Sequence, residues 1–241
     1  AGLGYSGSVQ EVNCRVEYEN GTTKDDVCTM SYKINRATIT LSFEGMTGAN
    51  VLGTYPNYTY NTRQQGLSAI VVNGLYSTDA SNVYLNVTGV TASPSNGKLT
   101  NGKLSVTLAS NNFIDANTYS ASVSLKTGTN TGATRNYVLS GSTSTSWTIS
   151  PKELSISGLT GGNVDYDATA HYPTINMTGS GISGTDKTGV FKYGNDTIVV
   201  NYSITGSDAG VFVNAGQYKI KVADSNTITA TRNNQPVPST N

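Results

Sequence analysis

The sequence predicts an all-β protein made of two modules in tandem, and three observations point there. Thr, Val, Ile and Tyr supply about a third of the 241 residues while Gly and Asn punctuate them, which favours strands joined by tight turns. Only 12% of residues are charged, 15 basic against 15 acidic, so the chain carries no electrostatic footprint for a nucleic acid. SYKINRATITL at Ser31 to Leu41 returns as SWTISPKELSI at Ser146 to Ile156 without a gap, so Tyr32 matches Trp147, Ile34 matches Ile149, Ile39 matches Leu154 and Leu41 matches Ile156. The offset of 115 residues suits a whole small domain better than a solenoid unit. Near-zero net charge and abundant β-branched and aromatic side chains argue against disorder.

The first element is a hairpin. Cys14 and Cys28 flank CRVEYENGTTKDDVC, whose centre holds Asn20 and Gly21, a strong hairpin-turn pair. With Asn20, Gly21 and Thr22 as a three-residue loop, Glu19 faces Thr23, and counting outward brings Cys14 opposite Cys28. A cross-strand disulfide is then geometrically open to them. It would stabilise the fold by roughly 3 kcal/mol and would presume an oxidising compartment, the alternative being two free, buried thiols.

Two further pairs of segments extend the echo. YNTRQQGLSAIVVNG (Tyr60 to Gly74) parallels YDATAHYPTINMTGS (Tyr166 to Ser180), each a Tyr-Asx pair followed by a strand-like run. DANTYSASV (Asp115 to Val123) parallels NAGQYKIKV (Asn214 to Val222), with the alternation of a half-buried strand. Tyr119 and Tyr218 lie 99 residues apart, so the second unit is shorter by loop deletions, which surface loops absorb at little cost.

These anchors resemble the MBG type of bacterial immunoglobulin-like repeat found in large surface proteins. The second unit carries that family's pattern as Tyr166, Asp167, Ala168, Thr169, Ala170, His171 and Pro173, then Asn214, Ala215, Gly216, Tyr218 and Val222. The first unit diverges, with Asn61 for Asp, Gln65 for His and Asn117 for the second Gly. The resemblance implies tandem immunoglobulin-like β-sandwich modules at residues 37–149 and 150–235, an N-terminal disulfide hairpin at 1–36 resembling the end of a preceding repeat, and a tail at 236–241. An isolated hairpin buries too little surface to stand alone, so 1–36 is expected to pair with a sheet of the first module or of a neighbouring molecule.

The search for chemistry points away from an enzyme and from any cofactor. His171 is the single histidine, and the family pattern explains it as part of a strand lead-in. NGKLTNGKL (Asn96 to Leu104) lacks the spacing of a phosphate loop and reads as two Asn-Gly turns. Asp25 with Asp26, and Asp165 with Asp167, lack the regular spacing of a calcium loop and read as solvated turns. Lys33 and Lys152 flank the strand that starts each module and are candidates for the Lys-Asn crosslinks of some adhesin modules, although neither recurs in the other unit. TYPNYTYN (Thr54 to Asn61) gathers Tyr55, Tyr58 and Tyr60, candidates for stacking on a sugar or peptide, with packing at an edge or between modules as the plainer alternative. Six Asn-x-Ser/Thr sequons, at Asn20, Asn57, Asn86, Asn176, Asn195 and Asn201, are no more than chance gives.

Apolar runs such as SAIVV (Ser68 to Val72) are far too short to span a membrane. The expected function is a non-catalytic, extracellular stalk or adhesin segment of a microbial cell surface. Its partners would be neighbouring modules or subunits and a host or matrix glycan or protein. The alternative is a self-polymerising pilus, filament or surface-layer subunit, assembled by β-strand addition from a terminal segment.

Overall fold

The computed structural model describes residues 10–13, 16–17, 21, 23–24, 29–109, 112–172, 174–179, 181–185, 189–206, 212–222 and 228–238. Cys14 and Cys28 lie outside the described residues, as do Asn20, Asp25, Asp26 and Pro173. The fold is all-β. Two 3-10 turns, Ser77–Asp79 and Thr134–Asn136, are the only helical elements among the described residues, and no helix is long and apolar enough to cross a membrane.

The strands follow in chain order. They are β1 (Gln10–Asn13), β2 (Val16–Glu17), β3 (Thr23–Lys24), β4 (Thr29–Tyr32), β5 (Ala37–Gly45), β6 (Gly53–Thr54), β7 (Asn57–Thr59) and β8 (Leu67–Asn73). Next come β9 (Leu85–Thr88), β10 (Thr91–Ser93), β11 (Lys103–Thr107), β12 (Asn117–Leu125), β13 (Tyr137–Leu139) and β14 (Ser144–Ser150). The remainder are β15 (Ser155–Thr160), β16 (Thr174–Thr178), β17 (Ile182–Thr185), β18 (Val190–Tyr193), β19 (Asp196–Val200), β20 (Ser203–Gly206), β21 (Tyr218–Lys221), β22 (Ile228–Arg232) and β23 (Gln235–Pro236).

Two compact units interleave along the sequence. The first takes Ala1–Glu44, Leu67–Thr107 and Ser120–Thr145, and the second takes Gly45–Gly66, Leu108–Tyr119 and Ser146–Asn241. The sequence boundary between 149 and 150 thus falls inside the second unit.

In the first unit a five-stranded sheet runs in the order β10-β11-β8-β5-β13, with β13 parallel to β5. The apolar positions of β8 are buried on both faces, whereas β5 alternates, and Ile39, Leu67, Ile70, Leu85, Leu99 and Leu104 form the core. The turn at Asn101-Gly102 is a two-residue hairpin: both residues have positive φ, and Thr100 and Lys103 exchange backbone hydrogen bonds of 2.8 and 3.0 Å. That is the Asn-Gly turn expected of NGKLTNGKL. The Tyr137 hydroxyl donates to Asp79 at 2.7 Å, and burial together with that bond pushes its pKa up to about 12.

The N-terminal strands form two ladders in the same unit. β1 pairs with β4 in the register Asn13↔Thr29, while β2 pairs with β3 through Val16↔Lys24 and Glu17↔Thr23. Here the sequence count needs correction, because Thr23 faces Glu17 and not Glu19. Two residues separate β1 from β2 but four separate β3 from β4, so the inner ladder is displaced by two positions from the outer one.

In the second unit β6, β7 and β14 are neighbours, with β14 parallel to β7 and lying beside the start of β12. β15 pairs with β16, β20 pairs with β21, and a further sheet runs β17-β18-β19-β22-β23. β19 (DTIVV) buries Asp196, Ile198 and Val200 on one face, and Tyr58, Trp147, Ile149 and Ile175 are other large buried side chains of this unit.

Candidate functional site

The two Tyr-Asx segments fold into the same corner twice, both times in the second unit. In each, the Asx side chain accepts a backbone N–H two residues on, Arg63 to Asn61 at 3.0 Å and Thr169 to Asp167 at 2.8 Å. Thr62 and Ala168, at matching positions, both take positive φ, as do Phe113 and Phe212. The Gln65 N–H donates to the Phe113 carbonyl at 3.0 Å, and the His171 N–H donates to the Phe212 carbonyl at 3.1 Å. Phe113 meets Tyr119 edge-on at 5.1 Å, and Phe212 meets Tyr218 edge-on at 5.2 Å. Each of these tyrosines turns its hydroxyl back to the carbonyl four residues upstream, Tyr119 to Asp115 at 2.8 Å and Tyr218 to Asn214 at 2.6 Å.

A buried polar junction joins the first corner to β18, β19 and β22. Asp196, 2% exposed at the head of β19, accepts from the Tyr60 hydroxyl through Oδ2 and from Arg232 Nε through Oδ1 at 2.9 Å. The Arg232 guanidinium also donates to the Tyr60 hydroxyl and, at 3.2 Å, to Asp115. Tyr193 donates its hydroxyl to the Tyr60 carbonyl at 2.9 Å, and the Asn195 N–H donates to the Thr62 hydroxyl at 3.2 Å. Burial first, then the bond to Asp196, raises the Tyr60 pKa well above 10, so the phenol stays neutral. Burial would lower the Arg232 pKa, but the bond to Asp196 and the surrounding oxygens outweigh it and hold the guanidinium protonated. A buried charge is tolerable only when its donors and acceptors are satisfied, as they are here.

The three candidate stacking tyrosines therefore differ. Tyr58 and Tyr60 are 2% and 3% exposed, with their faces taken by protein and their hydroxyls by Met46, Gly66 and Asp196, so neither presents a ring to a sugar or peptide. Tyr55 is half-buried and meets Tyr58 edge-on at 6.5 Å. Lys33 is exposed, and the Lys152 ammonium stands 5.7 Å from the Tyr193 ring centre. His171 Nε2 lies 2.9 Å from Asp167 Oδ1, and the Thr169 hydroxyl and amide, then His171, hold that carboxyl down at about 2. Among the described residues no group of three or more His, Cys, Asp or Glu could hold a metal ion.

An open cleft of about 750 Å³ lies beside the second corner, lined by Val164, Tyr166, Tyr172, Phe212, Tyr218 and Lys219. Tyr166 and Tyr172 are 64% and 44% exposed there. Comparison of the chain with family models, with curated proteins and with solved structures finds no match.

Asp115, Asp196 and Arg232 escaped sequence reading. They are far apart in the chain, and a charge at the head or end of a strand reads as solvated until the fold brings its partner to it. Gln65 carried a signal without a meaning: it stands where His171 stands, and it is buried, accepting from the Leu52 N–H at 2.6 Å and donating to the Thr59 carbonyl at 2.8 Å.

Proposed function

We propose that the chain is a non-catalytic, extracellular structural protein, a stalk or adhesin segment of a microbial cell surface built from MBG-type immunoglobulin-like β-sandwich repeats, 37–149 and 150–235. The observation that carries this reading is the buried junction in which Tyr60 and Asp115 of the first repeat share hydrogen bonds with Asp196 and Arg232 of the second. Repeats joined through desolvated charge transmit force and orientation where a flexible linker would not. The recurring corner supports the immunoglobulin-like assignment, since a tyrosine whose hydroxyl returns to an upstream carbonyl is a hallmark of that sandwich. The described register Asn13↔Thr29, one residue short of each cysteine, is the one that a Cys14–Cys28 disulfide in the 1–36 hairpin requires.

The partners are then neighbouring modules of the same assembly, and a glycan or protein contact would fall on exposed loops. Labelling intact source cells with an impermeant amine reagent tests the placement. The protein should be modified on whole cells, and labelling only after lysis would contradict a surface role.

A further inference from the structure

In the first repeat, β14 closes the aromatic corner. It lies between β7 and the start of β12, where the Thr118 and Thr148 hydroxyls meet at 3.1 Å. From it Trp147 stacks on Tyr119 at 5.8 Å, tilts against Phe113 at 5.6 Å and donates its indole N–H to the Gln65 carbonyl. In the second repeat, residues 163–165 stand for β7, β21 for the start of β12, and His171 for Gln65. The cleft beside Tyr218 and Lys219 lies between these counterparts, and β20 is the one described strand that pairs with β21. The cleft is thus the position that β14 fills in the first repeat.

The occupant is named by the sequence echo. SYKI at Ser31–Ile34 matches SWTI at Ser146–Ile149, the segment that fills this position in the first repeat, and β4 already has strand backbone. We propose that the cleft receives β4 of a second copy of this chain, adding it to β21 with Tyr32 beside Tyr218. This rests on the structural, repeat-protein reading above. The donor and the acceptor are different surfaces, so the contact is heterologous and copies add head to tail. One position is adapted. A Cβ on Gly66 would stand 2.7 Å from the Trp147 indole nitrogen, whereas the matching residue is Tyr172, whose ring covers Phe212 edge-on at 5.3 Å. Tyr172, 44% exposed, borders the open cleft, so its ring must turn aside for the entering strand.

Sedimentation velocity of the intact chain over a range of concentrations, with a peptide of residues 29–36 (TMSYKINR) as competitor, tests the proposal. Concentration-dependent association is expected, reversed by excess peptide. Tyr32→Asp should weaken it more than about tenfold, the loss of one buried aromatic anchor, and Tyr172→Gly should strengthen it. Mixing a Ser31→Cys chain with a Lys219→Cys chain should give a disulfide between copies, located by nonreducing mass spectrometry. A chain that stays monomeric throughout, or association indifferent to the peptide and to a Tyr32→Asp variant that melts normally, would overturn the proposal. A monomer that retains the coupling between Tyr60 and Arg232 would do so while leaving the structural reading intact.

Discussion

Arg232 meets three oxygens at once, on Asp196, Tyr60 and Asp115, and its side chain is mostly shielded from water. Removing it leaves Asp196 charged, buried and short of a partner, so Arg232→Ala should lower stability by about 3 kcal/mol, read from denaturant melts. Tyr60→Phe removes one donor to Asp196 and should cost about 1 to 3 kcal/mol. The tyrosines also fix an alkaline limit. The folded-state pKa of Tyr60 and of Tyr137 is raised above the ordinary value of 10, so their contribution is fully present below pH 10 and is lost as pH rises through the folded values. An ultraviolet titration should show tyrosines that ionise only as the protein unfolds. Full ionisation of every tyrosine near pH 10 with the fold intact would contradict their burial.

Glycine decides two approaches between elements. Gly66 leaves room for Trp147, and Gly194, with φ of 55°, lets the β18–β19 turn rest against Thr62. Gly66→Ala should destabilise by roughly 1 to 3 kcal/mol through overpacking, and intrinsic Trp147 fluorescence should shift as the ring moves. A variant with unchanged stability and spectrum would mean that the ring has freedom the packing denies it. The N-terminal hairpin carries its own expectation. Reduction should lower stability by roughly 3 kcal/mol if Cys14 and Cys28 are bonded, and two free thiols in nonreducing mass spectrometry would remove that bond.

At the scale of the whole chain, what was legible in the sequence was what depends on local chemistry. β-Branched residues between Gly and Asn announced strands, the Asn101-Gly102 turn was visible as a dipeptide, and the match of DANTYSASV to NAGQYKIKV paired Tyr119 with Tyr218, although not the bonds by which their hydroxyls close on carbonyls four residues upstream. Less legible was whatever depends on long-range pairing. TYPNYTYN left stacking on a ligand and plain packing both open because three rings in eight residues give no sign of which are buried, and it took Asp196 and Arg232, far along the chain, to bury Tyr60. The interleaving of the two units has the same origin, since strands paired across long intervals ignore the order in which a repeat is written. A double-mutant cycle between Tyr60→Phe and Arg232→Ala, 172 residues apart in the chain, tests the shared junction most directly. A coupling of about 1 kcal/mol or more is expected. Strict additivity would mean that Tyr60 and Arg232 are energetically independent and that no shared buried junction ties them together.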